Sequence, residues 1–506
     1  MAWWLIVVVV IGGVSLVVAL HDVFQRKHAI LRTFPVVGHL RFLLEKAGPE
    51  LRQYIVADNE EERPFSRDER RWVYTTAKRQ NPYFGFGTDT DVDVTGHLTF
   101  RHSAFPVART IEAGAPIPCT KTLGAWRNRP GAFRPDSIVN ISGMSFGSLS
   151  GAAVRALNEG AAQAGCLHNT GEGGISPHHL HGGDLVFQIG TGYFGARADD
   201  GTFSLDRMLE TVSKGPVKAI ELKLSQGAKP GMGGLLPAPK VTKEIAAARG
   251  VPVGQDVASP NSHSAFGDIA GLVDFVEQLA DASGLPVGIK SAVGQEAFWV
   301  DLSRHMADSG RGPDFVTIDG GEGGTGAGPL VFTDHVALPF FHALGSVYRS
   351  FCEAGLSGDV VFIGSGKLGL PPQAALAANL GIDLINVGRE AMLAAGCIQA
   401  QKCHTGHCPT GVATQNSWFE RGLDPTSKGV RVGHYIEGLR RELLRLAYAC
   451  GAQHPALMGP ESLSIVCDGH EMQRAHDWYG IDPTHTHPEG RRDEVLAALG
   501  SDRPTG

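Results

Sequence analysis

The sequence predicts an α/β protein built on a closed (β/α)8 barrel, a TIM barrel, and three observations predict it. From residue 136 onward short β-rich runs alternate with helical stretches, giving eight β/α steps in about 250 residues. Most of these runs end in glycine-rich or polar turns, which is where barrels of this kind carry ligands. The competing architecture, an open doubly wound sheet, lacks its sign: no G-x-G-x-x-G follows the first strand with an acidic residue about twenty positions later.

Taken in order, strands are predicted at 137–142, 166–170, 217–224, 253–257, 287–291, 315–319, 360–363 and 384–387, with helices between most of them, such as 149–164, 269–282 and 372–378. A further amphipathic helix, 433–448, carries Leu439, Leu443, Leu444 and Leu446 on an apolar face. Four segments result: 1–22 as a transmembrane anchor, 23–135 as an N-terminal extension packing on the barrel, 136–416 as the barrel, and 417–506 as a C-terminal helical extension whose end is polar and frayed.

The anchor rests on length and flanks. From Ala2 to Leu20 the chain is apolar or small, enough for a helix of about 28 Å, and Trp3-Trp4 opens it. No basic region precedes the run and Ala19-Leu20-His21 is a poor cleavage site, which argues against a signal peptide. Arg26, Lys27 and Arg32 follow it, so the positive-inside rule predicts a single-pass membrane protein with its catalytic domain in the cytoplasm. Between anchor and barrel, Leu40, Phe42, Leu43 and Leu44 form an apolar helix face expected to dock this arm on the main domain.

Composition narrows the chemistry. Glycine is in excess, 66 of 506 residues, clustered in short runs that let backbone approach a phosphate or nucleotide. A formal net charge of −7 gives nucleic-acid binding no electrostatic support. Eight cysteines in so long a chain make no disulfide scaffold, and Cys119, Cys166, Cys352, Cys450 and Cys467 read as small buried hydrophobes.

The distinctive residues fall at strand ends. After the first strand comes Gly143-Met144-Ser145-Phe146-Gly147-Ser148, where Ser148 would cap the next helix. After the second comes Asn169-Thr170-Gly171-Glu172-Gly173-Gly174, and after the run at 217–224 comes Gln226-Gly227-Ala228-Lys229-Pro230-Gly231. Lys290 sits in the apolar fifth strand, where a lysine facing the barrel mouth holds anionic charge. The last three strands end in Gly323-Gly324-Thr325, in Gly364-Ser365-Gly366 and in Gly388-Arg389. Three such turns together point to a phosphate-bearing cofactor. His178-His179-Leu180-His181 lacks a carboxylate at helical spacing and reads as a polar loop rather than a metal site.

Beyond the eighth strand stand Cys397, Cys403 and Cys408, the last followed by Pro409. Soft thiolates at this spacing favour an iron–sulfur cluster, and three ligands without an obvious fourth suit three irons. Zinc, recruiting His404 or His407, and three unrelated thiols stay open as alternatives. A redox cluster beside a phosphate-binding barrel needs a partner that accepts single electrons and delivers two, and FMN does so.

These motifs, in this order and continuing through Cys408-Pro409-Thr410-Gly411-Val412-Ala413-Thr414-Gln415, resemble the FMN-binding synthase domain of glutamate synthase. The likeness covers roughly 100–450. It implies FMN in the barrel and a three-iron (3Fe–4S) cluster on Cys397, Cys403 and Cys408. It also implies reduction of 2-iminoglutarate, formed from 2-oxoglutarate and ammonia, to L-glutamate. Carried over residue by residue, Met144, Ser145, Asn169, Thr170, Gln226 and Lys290 line flavin and substrate. Gly323, Gly324, Thr325, Gly364, Ser365, Gly366, Gly388 and Arg389 hold the phosphate, and Lys290, Gln226 and Glu172 carry catalysis. Partners implied are a 2-oxo acid or amino acid, an electron donor such as ferredoxin or a reductase subunit, and a separate amidotransferase subunit.

Two features depart from that pattern. Met1-Ala2-Trp3 opens a membrane segment where the family starts with a catalytic cysteine, so glutamine hydrolysis is not expected. Met232 replaces the usual acid in Ala-Lys-Pro-Gly-Glu-Gly-Gly, which alters the substrate pocket's charge. The alternatives are an N-substituted glutamate synthase or oxidoreductase, and a membrane-bound electron-transfer subunit with no substrate of its own.

Overall fold

Eight short runs, mostly of branched and aromatic residues, pair side by side in parallel and close on themselves in a computed structural model of the chain: β1 (Val139–Ile141), β2 (His168–Asn169), β3 (Leu185–Ile189), β4 (Val217–Lys223), β5 (Val287–Ala292), β6 (Phe315–Asp319), β7 (Val361–Ser365) and β8 (Leu384–Val387). Each strand neighbours the next, and β8 closes onto β1 with Asn386 opposite Asn140. Most strands are buried at every position, covered by helices outside and filled by side chains inside. That is why they read as apolar runs rather than alternations.

The (β/α)8 barrel is the predicted fold, but one predicted strand is wrong and one is missing. The run at 253–257 is not in the barrel. Gly254 turns the chain at positive φ, Val253 is exposed, and only Val257–Ala258 is extended, paired antiparallel with Leu235–Leu236. The true third strand is β3, whose Gln188 points inward and dilutes an otherwise apolar run that follows Gly182-Gly183-Asp184. The turn from Gln226 to Gly231 therefore follows the fourth strand, not the third.

The described residues are 3–498 apart from Arg26, Pro82, Phe84 and Glu489. Ala2, Arg26 and the tail from 499, all used above, lie outside them. The chain divides into one unit up to Glu69 and another from Arg70 onward. In the first, α1 (Trp3–Phe24) is 22 residues long and apolar enough to cross a membrane, a property that signal sequences share. A short α2 (Ala29–Thr33) and then α3 (Gly38–Leu51) follow it.

In the second unit the helix after β1 is α4 (Gly151–Ala164). It starts two residues later than predicted because Ser150, not Ser148, caps it, accepting the Ala153 N–H at 3.1 Å. Gly388 starts α5 (Arg389–Ala395) directly after β8. The helix that covers this side of the barrel comes only after the cysteine loop: α6 (Pro425–Ala449) packs along α4 and α5 and buries Ile436, Leu439 and Leu443. The strands' N-terminal ends are sealed by ion pairs. Lys121 Nζ reaches Asp383 at 2.8 Å, and Arg129 bridges Glu277 at 2.8 Å and Asp314 at 3.1 Å.

Candidate active site

Side chains two apart on a strand share a face, so Glu221 and Lys223 both point into the barrel from β4. Glu221 is fully buried. It accepts hydrogen bonds from Asn169 Nδ2 (2.7 Å), Gln188 Nε2 (2.6 Å) and Thr317 Oγ1 (2.6 Å). This carboxylate fixes the orientation of two amides below the mouth. The other Asn169 atom, Oδ1, accepts from Gly171 N at 3.0 Å and shapes the turn after β2. Thr170 helps: its hydroxyl accepts from Gln188 N at 3.1 Å and donates to Gly171 O at 2.9 Å. Gly171 has φ +66°, and a Cβ there would fall 2.5 Å from Ser145 N, so this turn presses on the loop carrying Met144 and Ser145.

Lys223 stands opposite Lys290 in the β4–β5 register, which sets two ammonium groups on neighbouring strands. Lys223 Nζ donates to Glu172 Oε1 at 2.8 Å and Gln226 Oε1 at 2.6 Å. Burial pushes the Glu172 carboxyl up, but Lys223, with Lys229 and Arg249 behind it, outweighs burial and holds it below the ordinary carboxylate range. Burial and the like charge of Lys223 lower Lys229, and burial lowers Arg249. Three cations thus surround one carboxylate, an arrangement suited to an anionic ligand. Lys290, itself buried, lies 3.7 Å from Asp319 Oδ2, which also accepts from Gly227 N at 2.9 Å. Gln226 Nε2 donates to Thr325 Oγ1 at 3.2 Å and ties the β4 turn to the β6 turn. A Cβ on Gly227 would overlap the Gly320 carbonyl oxygen, so only glycine fits this crossing.

The residues expected to hold a phosphate meet at the ends of β6, β7 and β8. Gly320 N donates to Ser365 O at 2.8 Å, joining the turn that holds Gly323, Gly324 and Thr325 to the turn at Gly364, Ser365 and Gly366. Arg389, after Gly388, lays its stem against Gly324 and donates to the Glu322 carbonyl. Backbone N–H groups beside a guanidinium fit an anionic phosphate.

Past α5 the cysteine loop is wound tightly, with Gln399 and Gln401 both in the left-handed region, which non-glycine residues seldom adopt. Burial pushes the Cys397 thiol up to about 11, and the nearby Cys403 and Cys408 sulfurs add to it. Cys403 is raised by burial and by Cys408. Cys408 is lowered: burial opposes this, but the Thr410 hydroxyl and the N–H groups of Ala413, Thr410 and Val412 outweigh it. The three sulfurs therefore lie near enough to act on one another, and of the three Cys408 gives up its proton most readily, a donor set that fits an iron–sulfur cluster. No group of three or more metal-binding side chains is drawn together for a metal ion among the described residues. A cluster spreads its thiolates wider than one ion does. The far end of the loop binds back to the barrel, where Gln415 Nε2 donates to Gly147 O (3.2 Å) and Leu149 O (2.8 Å).

Elsewhere, His179 is buried and accepts from Ser176 N at 3.1 Å through Nδ1. Burial pushes the Cys166 thiol up to about 12 and the His168 imidazole down to about 3, so neither ionises near neutrality. Three residues of this region had no part in the sequence reading, Lys223, Glu221 and Gln188, and Gln415 entered it only as the end of the cysteine motif. Period-two counting along 217–223 puts Glu221 and Lys223 on one face and was the available signal.

Residues 130–453 match the family model described as the conserved region in glutamate synthase. The chain belongs to the glutamate synthase family. A glutamate synthase large subunit-like protein, YerD, of Bacillus subtilis (strain 168) is 38% identical over 469 residues, covering 86% of this chain and 89% of that one. An archaeal glutamate synthase of Methanocaldococcus jannaschii, named for NADPH, is 36% identical over 322 residues, covering 62% of this chain and 59% of its own length. Among solved structures, a flavocytochrome b2 variant with sulfite bound is similar over 96% of this chain and 98% of its own, at 14% identity and a TM-score of 0.44. Oxidoreductase is the coarse class that membership in the glutamate synthase family brings.

Proposed function

We propose that this protein is a membrane-tethered oxidoreductase of the glutamate synthase type that reduces the imine of a 2-oxo dicarboxylic acid, 2-iminoglutarate, to L-glutamate. When bound, FMN supplies hydride at the mouth, and a cluster on Cys397, Cys403 and Cys408 supplies one-electron transfer from a donor protein. The chain's own residues do the rest. Arg389 and the turns at Gly323-Gly324-Thr325, Gly364-Ser365-Gly366 and Gly388 hold a phosphate. Met144, Ser145, Asn169 and Thr170 form the wall against which a flat ring rests. Lys223, Lys229 and Arg249 attract substrate carboxylates, Gln226 orients the substrate, and Lys290 compensates negative charge beside the ring. Glu172, held ionised by Lys223, gives an acceptor for an ammonium or iminium N–H.

The convergence of three cations on Glu172 beside Lys290 carries this reading, since a dicarboxylate needs several fixed positive charges and an iminium needs one negative charge. Purified enzyme, reduced chemically without oxygen, should be reoxidised by 2-oxoglutarate plus ammonia. Failure to reoxidise sinks the glutamate assignment. Met232, exposed where the family has an acid, favours one second reading, an N-substituted glutamate made from an alkylamine. Methylamine outcompeting ammonia in the same assay would select it.

A further inference from the structure

The helix α3 is amphipathic, and its apolar side faces nothing within its unit. At 100° per residue, Leu40, Leu43, Leu44, Ala47 and Leu51 fall in one stripe, while Arg41, Glu45 and Lys46 lie outside it. The stripe's leucines are 43–61% exposed. Phe42, on the other side, is turned back against the His28 ring at 5.3 Å between centroids. A water-facing helix usually shows the reverse arrangement.

The corner before α3 fixes where this helix starts. Asp22, in the last turn of α1, is fully buried. It accepts from Val36 N at 2.9 Å and pairs with His39 Nε2 at 3.0 Å. Val36 takes a left-handed φ of +64°, rare for a branched residue, to make the bend. The start of α3 is thereby pinned to the end of α1. A helix of 22 residues is about 33 Å long, so when its Trp3 end lies at one membrane face, Asp22 reaches the other.

We propose that α3 lies in the membrane interface, its leucine stripe among phospholipid acyl chains and Arg41 and Lys46 reaching the headgroups. The protein would then hold its membrane by a crossing helix plus an in-plane helix. This inference rests on the reading of α1 as a membrane span. Continuity with that span favours lipid over the two other possible occupants, the barrel unit and a second copy of the chain.

The test uses the full-length protein reconstituted in phospholipid nanodiscs that include a phospholipid with a diazirine in its acyl chain. After illumination, adducts are mapped by mass spectrometry. Adducts are expected on both Trp3–Phe24 and the leucines of Gly38–Leu51. The double variant Leu43→Glu, Leu44→Glu should lose most of the α3 adducts and keep those on α1. Adducts on α1 alone would overturn the interfacial helix while leaving the anchor standing, because protein then covers the stripe. A bifunctional cross-linker joining α3 to the barrel or to a second α3, with no lipid adduct on α3, overturns it too. Adducts on neither segment would remove the anchor itself.

Discussion

At the scale of single residues the site depends on side chains whose roles come from what they touch. Lys223 is the clearest, since it joins Glu172 to Gln226. Replacing it as Lys223→Gln removes charge-assisted hydrogen bonds of about 2–3 kcal/mol, so kcat/KM for the oxo acid should fall roughly 30- to 150-fold. The flavin absorbance of the purified variant should stay unchanged, and loss of flavin would mean that Lys223 serves the cofactor instead. Glu221→Leu should be worse for the fold than for any one step. It strands the donors of Asn169, Gln188 and Thr317 in the barrel interior at about 1–3 kcal/mol each, which thermal unfolding will register. Glu221→Gln keeps the acceptor oxygen that serves both amides and should lose far less. Lys290 and the glycine turns after β6, β7 and β8 stood out in the sequence because each breaks its local pattern, a charge in an apolar strand or glycines in a row. Lys223 was not, because a charged residue at the end of a strand resembles any solvated terminus until the register places it beside Lys290.

Among elements, the sequence signal was strong where strands are apolar throughout and failed where function intrudes. β3 was missed because Gln188 serves Glu221, so the polar residue that hid the strand is one the site uses. The run at 253–257 misled in the opposite way: its valines are apolar in composition, yet Gly254 turns the chain between them. Turns are held as tightly as strands. Gly227→Ala would drive a methyl group into the Gly320 carbonyl, a backbone atom with nowhere to go, and soluble yield should collapse. The same substitution at Gly231, where nothing lies near, is the control, costing only its positive φ. In the cysteine loop the spacing was readable but the winding was not, since Gln399 and Gln401 give no sign in sequence of adopting left-handed backbone. Cys403→Ser should abolish iron on metal analysis and reduction by a protein donor while leaving flavin bound. Full iron content in that variant would remove Cys403 from the ligand set.

Across the whole molecule, the barrel's sealed end sets its acid stability. Burial raises the Glu277 carboxyl, but hydrogen bonds from Arg129, Arg127 and the Gly312 N–H prevail and bring it down to about 2, from an unfolded value of 4.5. A depressed carboxylate stabilises the fold fully above pH 4.5 and loses that contribution as pH falls towards 2. Unfolding temperature should therefore drop through this window. Glu277→Gln should cost about 3 kcal/mol of stability near neutral pH and flatten the slope, because Arg129 loses its two-pronged carboxylate partner. Asp314, which burial raises to about 6, works against its neighbour and softens the profile above pH 4. At the other end of the barrel one amide has a wider reach. Gln415 grips Gly147 O and Leu149 O, so the segment bearing the thiols and the turn bearing Met144 and Ser145 are clamped together. A ligand that orders that turn therefore helps to order the thiol segment, and whatever coupling results is the same in both directions. Filling either of the two proposed centres would then ready the other, so the clamp couples their loading without fixing which comes first.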